Sequence, residues 1–83
     1  MSNEYHLTLI GKPGCHLCDE AEVVISRVLS EVEGTVKFSK KNILEDQDLF
    51  AKYSEEIPVL LIDGKVHNYW HIDAERLRSA LAG

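Results

Sequence analysis

Residues 57–70 read "IPVLLIDGKVHNYW". Val59 to Ile62 is a continuous apolar run, the pattern of a central strand with both faces covered. Asp63-Gly64 matches a two-residue type I′ turn, so the chain after it returns as the second strand of a hairpin. Pro58 suits the first position of such a strand, where no ladder donor is needed. A hairpin here makes one end of the sheet antiparallel, and the rest of the chain must supply what pairs with it and covers it.

Upstream, "YHLTLI" (residues 5–10) is rich in β-formers and predicts the first strand. Gly11, Pro13 and Gly14 then break the chain. Leu17, Ala21, Val24, Ile25, Val28, Leu29 and Val32 recur at helical spacing, which predicts one amphipathic helix from near Cys15 to a cap at Gly34. In "TVKFSKKN" (35–42) Val36 and Phe38 alternate with polar residues, as in an edge strand that Lys40-Lys41 protects from further pairing. "EDQDLFAKYS" (45–54) predicts a short helix with acids in its first turn and Leu49, Phe50 and Tyr53 facing inward. Beyond the hairpin, Asp73 can cap a last helix whose Leu77, Ala80 and Leu81 share a face. The order β-α-β-α-β-β-α predicts an α/β fold, a mixed four-stranded sheet with helices on both faces. At 83 residues, the chain is expected to form one domain, 1–83.

A net charge of −5 with scattered lysines argues against nucleic acid and anionic membranes as partners. No window resembles a membrane span, and the opening "MSNEYHLTLI" lacks the apolar run of a signal peptide. The expected setting is therefore the cytoplasm, where thiols stay reduced and structural disulfides are rare. Two cysteines are also too few for a disulfide-stapled scaffold.

Both cysteines lie in "GKPGCHLC" (11–18), where the first strand hands over to the first helix. Two Cys at this spacing can close a small disulfide ring, and the free N–H groups of the helix start favour a thiolate on Cys15. Lys12 and a protonated His16 act in the same sense, whereas Asp19, Glu20 and Glu22 oppose them. Two other readings stand beside a working dithiol. A zinc site would need four ligands, and His6, His16, His67 and His71 stand at no finger-like spacing; no metal site is expected. Inert thiols are the third reading. Lys12 can be an anion contact or merely solvated, and Tyr69 and Trp70 can be core or substrate-facing.

A CxxC beside a βαβ pattern reads as a redox motif. The chain as a whole resembles the glutaredoxin-like branch of the thioredoxin-fold superfamily. The carriers are "KPGCHLCDEA" (12–21), "EEIPVLLIDGK" (55–65) and "YWHIDAERLRSAL" (69–81). The resemblance implies a thioredoxin-like sheet of order 2-1-3-4. It makes Cys15 the nucleophile and Cys18 the resolving thiol of a monomeric thiol–disulfide oxidoreductase or electron carrier. It also implies a cis Ile57-Pro58 bond presenting Ile57 to substrate and Lys12 as a substrate contact; beside these, His16 reads as an exposed tuning group rather than a proton carrier, and Trp70 as a second tuning group. The partners would be a disulfide-containing protein or small molecule and a recycling reductase, with no bound cofactor beyond the dithiol. The alternative is a non-enzymatic module of this fold that binds a metal or a protein. Between the cysteines stand His16-Leu17, where dithiol glutaredoxins have Pro-Tyr. Before the last helix they carry Gly-Gly, and this chain reads Tyr69-Trp70-His71-Ile72-Asp73. Weak or no recognition of glutathione is the expectation.

Overall fold

A computed structural model describes residues 4–32 and 35–82. Strand β1 spans Glu4–Gly11, helix α1 His16–Glu31 and strand β2 Thr35–Asn42. A 3₁₀ turn, Ile43–Glu45, leads into α2, Gln47–Tyr53. Strands β3, Val59–Ile62, and β4, Lys65–Tyr69, precede α3, Ala74–Ala82. The sheet order is β2-β1-β3-β4, with β1 and β2 parallel and the other two pairs antiparallel. This is the expected thioredoxin-like topology.

Strand β1 lies inside the sheet and is buried on both faces from Leu7 onward, so its alternate residues feed two cores. Leu7 and Leu9, with Leu60, meet Ala21, Ile25 and Val28 of α1 and Leu77 and Leu81 of α3. Ile10 and Val59 meet Ile43 and Tyr53 on the other face. Burying each Leu, Ile or Val is worth about 1.5–3 kcal/mol, so these two clusters hold the helices on the sheet. The Asp63-Gly64 turn has φ of 51° and 85°, the two left-handed residues that a type I′ hairpin requires. Among the described residues no helix is long and apolar enough to cross a membrane.

Four local expectations are corrected. Helix α1 ends at Glu31, with Val32 already extended; the proposed cap at Gly34 lies outside the described residues. The second helix starts later than the acidic run suggests. Asn42 accepts from the Leu44 N–H to form the 3₁₀ turn, and Asp46 then caps α2 through the N–H groups of Asp48 and Leu49. A helix of 7 residues buries only a narrow stripe, so Leu49 and Tyr53 face inward while Phe50 stays 48% exposed. Gly11 is no breaker, since it ends β1 and pairs with Asn42.

The hairpin carries a bulge that the sequence does not announce. Leu61 opposes Val66 and Leu60 opposes Asn68, which leaves His67 as the extra residue. Its Nε2 is buried without a hydrogen-bond partner among the described residues. Burial, and secondarily the charge of Arg76, hold the His67 pKa below its ordinary value. Both folded and unfolded chains carry a neutral His67 above about pH 6.5, where its titration takes nothing from stability. As pH falls below that, the unfolded chain binds the proton first. Stability should therefore drop until the folded-state pKa is also passed. Urea midpoints of the wild type and His67→Gln, compared at pH 8 and pH 5, should show the larger acid-side loss in the wild type; equal losses would remove His67 as the cause.

Candidate functional site

The handover from β1 to α1 is built around one close approach. A Cβ added to Gly11 would lie 2.7 Å from Cys18 Sγ and 3.2 Å from Cys18 Cβ. Only a glycine lets the first turn of α1 come this near the strand. Gly14 then turns the chain with φ of 76°, a region that glycine occupies without strain. Cys15 follows as the N-cap, at φ −97° and ψ 114°. Its Sγ accepts from the Cys18 N–H at 3.2 Å, and its carbonyl accepts from the Asp19 N–H at 3.1 Å. Sulfur thus takes the place that a Ser, Thr or Asp oxygen holds at most helix starts.

Cys15 and Cys18 are joined as a disulfide, with their Cα atoms 5.2 Å apart. Cys18 is 7% exposed, whereas Cys15 is only half-buried. The two sulfurs are therefore inequivalent in access. His16 is exposed as the first residue of α1. Lys12 is exposed and lines a cleft of about 290 Å³ with Cys18, Glu22, Lys40 and Lys41. Lys40 pairs there with Glu22 at 2.8 Å, so this edge lysine also ties β2 to α1.

The Ile57-Pro58 bond is cis, with Pro58 fully buried. The register that pairs Ile10 with Val59 sets Pro58 at the end of the sheet where β1 meets the dithiol. Trp70 reaches this loop from the other side. Its backbone N–H donates to the Pro58 carbonyl at 2.8 Å and its indole Nε1 to the Glu55 carbonyl at 3.1 Å. Trp70 has φ of 63°, is 50% exposed, and meets Tyr69 edge-on with ring centroids 5.0 Å apart. With Leu17 and Glu20 it borders a small cavity of about 60 Å³. The indole is thus surface, not core.

Asp73 caps α3, its Oδ1 accepting from the Glu75 N–H at 2.9 Å and the Arg76 N–H at 3.2 Å. Among the described residues no cluster of three or more His, Cys, Asp or Glu side chains is arranged to hold a metal ion. Two features of the site escaped sequence reading. Gly11 looks like any glycine between strand and helix, and nothing local marks the αL conformation of Trp70. The substitution Gly11→Ala is expected to cost about 1–3 kcal/mol through overpacking and to loosen Cys18. Urea denaturation and the alkylation rate of reduced Cys18 would report both effects.

Residues 6–82 match the family described as "Glutaredoxin-like domain (DUF836)". An uncharacterized protein of Mycobacterium tuberculosis is 31% identical over 81 residues, covering 89% of this chain and 79% of that one. The X-ray structure of a structural-genomics target protein from X. campestris superposes with a TM-score of 0.74 at 33% identity, over 92% of this chain and 95% of the other. A chloroplastic thioredoxin z shares the fold at a TM-score of 0.75 and 17% identity, over 96% of this chain and 77% of that one.

Proposed function

The chain belongs to the glutaredoxin-like domain family, and we propose that it is a thiol–disulfide oxidoreductase or electron carrier with Cys15 as nucleophile and Cys18 as resolving thiol. The observation that carries this reading is the inequivalence of the pair: Cys15 Sγ caps α1 at the more open position, while Cys18 is buried behind it. A helix start stabilises negative charge, so a reduced Cys15 is set to ionise below the pKa of a free cysteine. Its thiolate attacks one sulfur of the substrate disulfide, and the other sulfur leaves as a thiolate that takes a proton from water. Cys18 then loses its proton and attacks Cys15 Sγ, closing the disulfide and releasing the second substrate thiolate. Two electrons pass to the substrate, and a reductase or dithiol returns them.

Lys12 and Ile57-Pro58 are the substrate-binding residues in this reading, with His16 and Trp70 beside them as tuning groups. A protein or small-molecule disulfide is the substrate class, and a monomer in a reducing cytoplasm suits the chemistry. At neutral pH, reduced Cys15 should alkylate faster than Cys18, which should react slowly until the protein unfolds. A Cys18→Ser variant should accumulate mixed disulfides on Cys15. Equal alkylation rates, or a faster Cys18, would sink the assignment.

Glutathione is a poor fit. Asp73 already takes two N–H groups at the start of α3 and would repel an incoming carboxylate, and Trp70-His71 stand in place of the glycines that allow a close backbone approach in glutaredoxins. Lys12 alone offers an exposed charge pair worth about 0–1 kcal/mol. An NMR titration of the Cys18→Ser protein with glutathione should show no saturable shifts at residues 12, 57 and 70–74, and turnover should run better on a dithiol reductant. Saturable shifts with robust glutathione-reductase-coupled turnover would reverse that expectation.

A further inference from the structure

We infer that the Tyr69-Trp70 surface beside the dithiol is a docking site for a basic polypeptide segment, so that the substrate class is a protein disulfide with Arg or Lys next to its cysteine. The inference rests on the exchange reading above and specifies its substrate. Trp70 and Tyr69 expose 50% and 45% of their surface at the end of β4, next to the first turn of α1. Apolar aromatic faces left in solvent at a catalytic rim are contact area for a partner.

The charge around them says which partner. Glu20 borders the same cavity as Trp70, Glu55 accepts the indole N–H through its carbonyl, Glu56 is the next residue of that loop, and Asp73 follows Trp70 by three positions as the cap of α3. All four carboxylate residues are exposed. Lys52 lies over the Tyr53 ring, and the basic group bordering the same cavity is His71. Lys12, Lys40 and Lys41 line the cleft on the β2 side, at the opposite edge of the sheet. An indole with the Glu20 side chain at its cavity and Glu55 and Glu56 in the loop that holds it is complementary to a guanidinium or ammonium, which gains a cation–π contact as well as ion pairs. The same carboxylates repel an acidic thiol.

Trp70 is the single tryptophan of the chain, so its emission reports on this surface directly. Two short peptides of equal length and without Trp would be titrated into the oxidised protein, with Ser in place of Cys and either Arg or Glu on both sides of it. The Arg peptide should bind about tenfold tighter at low salt, with the gap closing near 0.5 M salt as screening takes over. In Glu55→Gln/Glu56→Gln the gap should shrink several-fold, because the backbone carbonyl that holds the indole is kept and only the charges go. Equal affinities, a preference for the Glu peptide, or a gap unchanged in that variant would overturn the inference. A parallel arm measures reduction of hydroxyethyl disulfide and of the cystine forms of both peptides by the reduced protein. Turnover of all three at equal rates overturns the docking site and leaves the exchange reading intact. Charge-selective binding with no turnover of any supports the docking site and overturns the exchange reading.

Discussion

The geometry of the cysteine pair follows from how near α1 lies to β1. The contact between Gly11 and Cys18 leaves no room for a Cβ on the strand, and it is made by the first residue of the stripe that docks the helix. Cys18, Ala21, Ile25 and Val28 are the buried residues of α1, at spacings of three and four. Cys18 is thus core by the same geometry that makes Ile25 core. Cys15, three positions earlier, is the N-cap because α1 begins at His16; its backbone is not yet helical and it is only half-buried. The different access of the two thiols needs no special side chains around them. It is a consequence of packing an amphipathic helix on a strand that ends in glycine.

The sheet then brings the remaining parts to the same end. Parallel pairing of β1 with β2 puts Asn42 beside Gly11 and leaves the lysines of β2 along one flank. Antiparallel pairing of β1 with β3 brings Pro58 up from the other side, and the β3–β4 pairing carries Trp70 with it. One side of the cysteine pair is therefore lined by a mixed group of lysines and acids, the other by Trp70, His71 and Glu20. The two sulfurs are thus flanked by different chemistry on their two sides.

The elements were legible in the sequence because each rests on a strong local signal. Alternate residues of "YHLTLI" enter separate cores, the α1 stripe repeats over several turns, and Asp63-Gly64 permits only a narrow choice of turn. That Cys15 and Cys18 can pair was legible from their spacing and from their position between strand and helix. What stayed hidden depends on contacts between distant segments. Phe50 was drawn inward by hydrophobicity alone, but α2 is too short to bury more than Leu49 and Tyr53. The bulge at His67 arises from how β4 fits β3, and no residue type marks it. The role of Gly11 exists only once Cys18 is packed against it.

Trp70 shows how such a hidden constraint is held in place. A bulky residue in a left-handed conformation costs about 1–3 kcal/mol, and with half its surface in water burial offsets little of that. The two hydrogen bonds it donates to carbonyls on either side of Ile57 contribute about 0.5–1.5 kcal/mol each, which is the same size as the cost. The conformation therefore stands only while the 55–58 loop presents both carbonyls. Loop and turn form one mechanical unit: the loop fixes the indole, and the indole in turn braces the loop against β4. Because the acceptors are main-chain atoms, the unit tolerates changes to the Glu55 side chain. It fails if the backbone of the loop moves, and an aromatic face then leaves the rim of the dithiol.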